Sequence, residues 1–199
     1  MNRLGFYLLG MALMLGGAAE KALAQNVGDN SVYLTTYYSN ANTAGAPDAT
    51  MRIINDGDTG GNLWASIYVF DDSQYLQECC TCTVSPDGVL SESVNRELTA
   101  NSLTEKVNTR GLIKVISSSV GDPTNNALMP GLRGWATHIQ SVKNENPVGP
   151  APYFQTETEF SDSNLSVPEQ TFLQELCFYE ELLGSGQGVC SCTLEDFDF

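Results

Sequence analysis

The cysteines are the residues best able to do chemistry in this chain. Cys79, Cys80 and Cys82 form a Cys-Cys-Thr-Cys run, and Cys177, Cys190 and Cys192 follow about a hundred residues later, the last two as Cys-Ser-Cys. Such a set has three uses. It can close three disulfides, it can chelate a thiophilic ion such as Zn²⁺ or Cu⁺ through a Cys-x-Cys pair, or one labile bridge can be redox-active. An even count split three and three, with no supporting set of histidines, favours disulfides. Extended chain geometry restricts their partners, because alternate side chains point to opposite faces. Cys80 and Cys82 share a face, and Cys190 and Cys192 share one if the tail is extended. The reading adopted pairs these two sets as adjacent rungs and leaves Cys79 to bond Cys177 on the opposite side; six cysteines allow about 15 connectivities.

No other constellation of chemical groups emerges. His138 is the one histidine, so a Ser-His-Asp hydrolase or a histidine-bridged metal enzyme would have to use it, and no Gly-x-Ser-x-Gly accompanies it. It is read as a partly exposed histidine on a helix. Asp56-Gly57-Asp58-Thr59-Gly60 imitates the start of a calcium loop, but an EF-hand needs glutamate at loop position 12, where Ile67 stands. A glycine-rich hairpin turn is the simpler account. Glu157 and Glu159, two apart on an expected strand, could serve as glycosidase carboxylates, though exposed alternating acids are commoner. Tyr33, Tyr37, Tyr38, Trp64, Tyr68 and Phe70 could build a carbohydrate platform, though strand aromatics mostly fill cores. No catalytic, cofactor-binding or metal-binding residue is therefore assigned.

The elements that must position the cysteines are mostly strands. Val32 to Tyr38, Thr50 to Asn55, Leu63 to Phe70, Val89 to Val94 and Leu112 to Ile116 are β-branched and aromatic, and Gly, Asp and Pro turns separate most of them. This spacing predicts an immunoglobulin-like antiparallel β-sandwich over 25–121. The remainder, 122–199, should contain helix, after a break at Asp122 to Asn126. Leu128, Leu132, Trp135 and Ile139 recur at spacings of four, three and four, which predicts a short or irregular helix interrupted by Pro130, Gly131 and Gly134. Asn144 to Pro152 reads as a loop and Tyr153 to Phe160 as one more strand. The last helix is the best signalled. Ser166 caps it, Glu169 reaches back, and Pro168 sits where its missing N–H costs nothing. Phe172, Leu173, Leu176, Cys177, Leu182 and Leu183 should form its buried face, and Gly184 to Gly186 should end it.

Export decides how the sulfur is read. Met1-Asn2-Arg3, an apolar run from Leu4 to Ala19 and Ala22-Leu23-Ala24 compose a signal peptide over 1–24, cut before Gln25. The run is shorter than the roughly 20 residues a spanning helix needs. A single domain, 25–199, is expected to remain, in the periplasm or outside the cell, with no membrane span. Removing the leader takes Arg3, Lys21 and Glu20 from 9 basic and 24 acidic residues, which leaves 7 and 23, a net charge of −16. That field excludes nucleic acid as a partner.

Four segments taken together resemble a group of uncharacterised exported proteins of environmental bacteria. They are Ile67 to Asp71, Glu78-Cys79-Cys80-Thr81-Cys82, Pro86-Asp87-Gly88 with Ser93-Val94-Asn95, and Glu175-Leu176-Cys177 through Leu183 to Cys192. The resemblance implies export and a disulfide frame, and carries no activity. The expected function is that of a secreted, non-enzymatic structural, surface-assembly or binding protein whose partners are its own copies, another surface protein or a polysaccharide. Two alternatives stand beside it. One is a filament subunit whose segment Gln25 to Ser39 is donated to a neighbour's sheet; the other is a carbohydrate-active hydrolase or carbohydrate-binding module.

Overall fold

A computed structural model describes residues 31–121, 127–142 and 152–192. The expected leader, the break at 122–126 and most of the loop at 144–152 lie outside them. Nine strands and a helix follow in order: β1 (Tyr33–Tyr38), β2 (Thr50–Asn55), β3 (Leu63–Asp71), β4 (Leu76–Val84), β5 (Val89–Ser93), β6 (Gly111–Ser118), β7 (Leu132–Ser141), β8 (Tyr153–Glu159), β9 (Ser161–Asp162) and α1 (Val167–Leu183). One sheet has the order β4-β3-β6-β1-β9 and the other β5-β2-β7-β8. Every pairing between these strands is antiparallel. The protein is thus the mainly β sandwich with a C-terminal helix that the strand spacing predicts.

Three layers result. Leu34, Met51, Ile53, Ile67, Val69, Ile113 and Leu132 fill the space between the sheets. A second cluster, with Tyr33, Tyr68, Phe70, Cys79, Ile116, Leu173 and Cys177, lies between the outer face of the five-stranded sheet and α1. A strand covered on both faces gains nothing from alternation, which is why β3 reads as a nearly unbroken apolar run. On β2, covered on one face only, buried positions alternate with more exposed ones.

Two expectations are overturned here. The segment around Trp135 is a strand, β7, paired with β2 on one side and β8 on the other. A spacing of four returns to the same face in a strand, where it is two full periods, and in a helix, where it is about one turn, so only the single spacing of three favoured a helix. Gly134, which weakens a helix, suits the strand, since an added Cβ there would stand 3.0 Å from the ring of Phe160, and Gly131, at φ 129°, precedes it. The Asp56 to Gly60 segment is not a hairpin turn either. β2 and β3 belong to different sheets, so this connection carries the chain across the sandwich.

The last helix is capped as expected. The Ser166 hydroxyl accepts the Glu169 N–H at 3.3 Å, and Gly184 closes the helix at φ 61°. Glu169 does not complete the capping box; its carboxylate takes Lys114 of β6 at 2.5 Å and the Tyr33 hydroxyl of β1 at 3.1 Å. That interaction ties the first turn to the sheet. The buried stripe is also narrower than expected. Leu173 and Cys177 are buried and Leu176 is half-buried, while Phe172, Leu182 and Leu183 are exposed, the last at 70%.

Candidate functional site

The six cysteines meet where β4, α1 and the C-terminal tail come together. The pleat of β4 sends Cys80 and Cys82 into the inter-sheet core and Cys79 toward α1. The tail runs beside β4 as a short parallel partner, with a bridge between Cys79 and Val189. The Cys79 N–H donates to the Gly188 carbonyl at 2.7 Å, and the Cys190 N–H donates to the Cys79 carbonyl at 3.1 Å. This covers the β4 edge at Cys79. The bridges are Cys79–Cys177, Cys80–Cys190 and Cys82–Cys192, with Cα separations of 5.8, 5.2 and 5.5 Å. The rungs and the opposed bridge are the arrangement that strand alternation implies. The tail decides what alternation leaves open, because its parallel direction matches Cys80 with Cys190. Across the two rungs the Cys80 and Cys82 sulfurs are 3.9 Å apart. Cys82 is buried and Cys192 is exposed.

A buried carboxyl adjoins this junction. Glu78 precedes Cys79 on β4 and is wholly shielded from solvent. Its Oε1 accepts the Asn101 N–H at 2.6 Å, and its Oε2 has no hydrogen-bond partner. Burial pushes its pKa up to about 7, against the lesser opposing effect of that N–H. Burial raises the Tyr38 phenol as well, with the charges of Asp71, Asp72 and Glu78 adding to it. Glu180, on the buried side of α1, is likewise raised by burial. It stands against the tail, where a Cβ at Gly188 would fall 2.5 Å from its Oε2. Sequence reasoning missed both acids. The available signal was a charged residue inside β4, a strand covered on both faces.

The other candidates are dispersed. His138 lies in β7, wholly buried rather than partly exposed on a helix. Its ring stacks on Tyr37 with centroids 4.0 Å apart, and its Nε2 is 2.6 Å from the Thr158 hydroxyl. Burial lowers its pKa, the Tyr37 backbone opposing in part. Glu157 and Glu159 sit exposed on β8 in ion pairs with Arg52 at 2.6 Å and Arg133 at 3.1 Å. The aromatic set makes no platform: Tyr33, Tyr38, Tyr68 and Phe70 are buried, Trp64 is half-buried, and Tyr37 is exposed over His138. Surface depressions of about 410 and 290 Å³ are lined by Ser31, Val32 and Asp162 to Leu165, and by Asn42, Thr99 to Ser102 and Glu105 to Val107. Neither contains Glu78, His138, Glu157 or Glu159.

One feature of the sheets is open to a partner. β8 ends the four-stranded sheet, and among the described residues it is paired by β7 alone. Six of its seven residues are exposed. Among the described residues, no helix is long and apolar enough to cross a membrane. Three disulfides suit an oxidising compartment.

No family model and no curated protein matches the sequence. Among solved structures, one titled "Crystal Structure of Thermotoga maritima 1070" is similar with a TM-score of 0.43 and 13% identity, over 69% of this chain and 99% of that one. At that level the likeness assigns neither activity nor partner.

Proposed function

We propose that this is an exported, non-enzymatic surface-assembly module whose joining surface is the free edge of β8. One observation carries the reading: among the described residues β8 presents seven residues of unpaired strand edge, exposed on both faces, while the tail bridges the β4 edge at Cys79, β5 is five residues long and β9 only two. Such an edge recruits an incoming strand through main-chain hydrogen bonds. The devices that commonly blunt an edge are weak here. β8 contains no proline, and its acids Glu157 and Glu159 are already matched by arginines of the same sheet. The partner is another copy of the chain.

The filament reading narrows that partner to the segment Gln25 to Ser39 of a neighbour. β1, which takes up much of that segment, pairs with β6 and β9 of its own domain. The described strand of that segment is therefore committed to its own domain. Sedimentation and electron microscopy test the proposal with Gln155→Pro and Thr156→Pro. Successive N–H groups of an antiparallel strand point to opposite sides, so one substitution removes a bond to β7 and the other removes an outward donor. Association should be lost in the folded variant that lacks the outward donor. A chain that stays monomeric at every concentration, or one whose association ignores both prolines, overturns self-assembly. Binding of a different surface protein or of a polysaccharide at an intact β8 edge would also overturn it.

A further inference from the structure

We infer that Cys192 is an attachment site for a small external thiol, and that Cys82 relays its modification inward to break the buried Cys80–Cys190 bridge as well. The two rungs that hold the tail thus open as one unit, while Cys79–Cys177 stays closed. Of the six bridged cysteines only Cys192 is exposed. Cys79–Cys177 and Cys80–Cys190 are buried at both ends, so neither meets a thiol arriving from solvent. A thiolate must reach the sulfur it strikes, which makes Cys192 the point of entry.

The sulfurs within are placed for the second step. Those of Cys80 and Cys82 stand 3.9 Å apart on one face of β4. The Cys192 sulfur joins them in a group no more than 4.8 Å across, and the Cys190 sulfur is not part of it. The inner bridge therefore presents its Cys80 end to Cys82. Cys79 points to the opposite face, toward α1, which keeps its bridge out of reach. Two residues of extended strand span about 6.7 Å at Cα, near the upper end of what a disulfide closes. Side-chain rotation then suffices to bring Cys80 and Cys82 to a bond of about 2.05 Å.

The chemistry needs one thiol and no oxidant. Its thiolate attacks the Cys192 sulfur, forms a mixed disulfide there, breaks the bond to Cys82 and expels Cys82 as thiolate. That thiolate attacks the Cys80 sulfur, forms a Cys80–Cys82 bond, breaks Cys80–Cys190 and expels Cys190. The proton lost by the incoming thiol ends on Cys190, and the number of disulfides is unchanged. Solvation favours the second step. A thiolate on Cys82 lies among the apolar side chains of the inter-sheet core, where an anion is costly. Exchange moves the charge to Cys190, two residues from exposed Cys192 on a tail that has lost both anchors. Hydrogen bonds to Cys79, Asn101 and Glu97 are what then hold the tail.

The experiment incubates the full chain with reduced glutathione, quenches exchange with acid, unfolds the protein and alkylates its free thiols. The remaining bridges are then reduced and alkylated with an isotopically distinct reagent, and tandem mass spectrometry assigns a label to each cysteine. An unreduced sample locates the glutathione. The expected result is one glutathione on Cys192 and the first label on Cys190, in excess over Cys82 by about tenfold or more. Cys79 and Cys177 should carry only the second label. In the Cys80→Ser, Cys190→Ser variant Cys82 has nothing to attack, so the first label should move to Cys82. The Cys79→Ser, Cys177→Ser variant should label Cys190 as the parent does. The parent's own pattern needs no variant, so a substitution that fails to fold leaves the test intact. A chain that keeps its native bridges, glutathione on another cysteine, a first label on Cys82 in place of Cys190, or early opening of Cys79–Cys177 would each overturn the relay.

Discussion

Replacing Cys79 and Cys177 together by alanine removes the bridge that pins α1 to β4, and its cost follows from the nesting of the three links. Taken alone, a bridge spanning 98 residues restricts the unfolded chain by about 4.7 kcal/mol. It is not alone. With Cys80–Cys190 in place, the ring that Cys79–Cys177 closes runs one residue to Cys80, across that bridge, and thirteen back to Cys177, about fourteen in all. A loop of that size is worth about 3 kcal/mol, and the packing lost with two buried sulfurs adds about 1 kcal/mol. Removing Cys82 and Cys192 opens a ring of only about four residues, worth about 2 kcal/mol by the same expression. The two double-alanine variants should therefore lose about 4 and about 2 kcal/mol, although their sequence separations differ little, 98 against 110. Urea unfolding followed by circular dichroism, extrapolated to water at constant slope, measures both. A Cys82/Cys192 variant as damaged as the Cys79/Cys177 variant, or a Cys79/Cys177 loss below about 1 kcal/mol, would refute the nested-loop reasoning.

Three further outcomes rest on separate contacts. Glu78 has an ordinary value of 4.5 raised to about 7 in the fold, so its contribution to stability is complete below about pH 4.5 and is lost as pH rises through 7. Glu78→Gln should flatten that dependence and raise stability at pH 8 by on the order of 3 kcal/mol, read from urea midpoints at pH 5 and pH 8. Gly111→Ala should cost more than about 3 kcal/mol or abolish soluble expression, because its Cβ would fall 1.9 Å from the Phe70 carbonyl oxygen. On α1, Leu173→Ala should cost about 2–4 kcal/mol, while Leu182→Ser with Leu183→Ser should change stability by no more than about 0.5 kcal/mol per site. Thermal melts of the two helix variants separate a narrow buried stripe from a broad one.

The junction was more legible in the sequence than anything else, for a geometric reason. Three cysteines within four positions of an extended chain must divide between two faces, and that division alone separates the partner of Cys79 from the partners of Cys80 and Cys82. The caps of α1 were legible because Ser166 and Gly184 act on their own backbone neighbours. Burial was not. Phe172, Leu182 and Leu183 are as apolar as Leu173, and only the placement of α1 on the sheet decides which of them it covers. Glu78 was missed for the same reason, since its raised pKa comes from layers that close around β4 from distant parts of the chain.

The residues by themselves determined the β class, the cysteine faces and the final helix, because alternation, turn chemistry and capping act over a few neighbouring positions. Tertiary structure decided the rest. It made β7 a strand, by supplying hydrogen-bonded partners on both sides of a segment whose spacing suits either period. It matched Cys80 to Cys190 through the direction of the tail, buried His138 beneath Tyr37, and placed β8 at the end of its sheet. Each of these outcomes depends on which segments meet across the fold, and local chain physics carries no record of that.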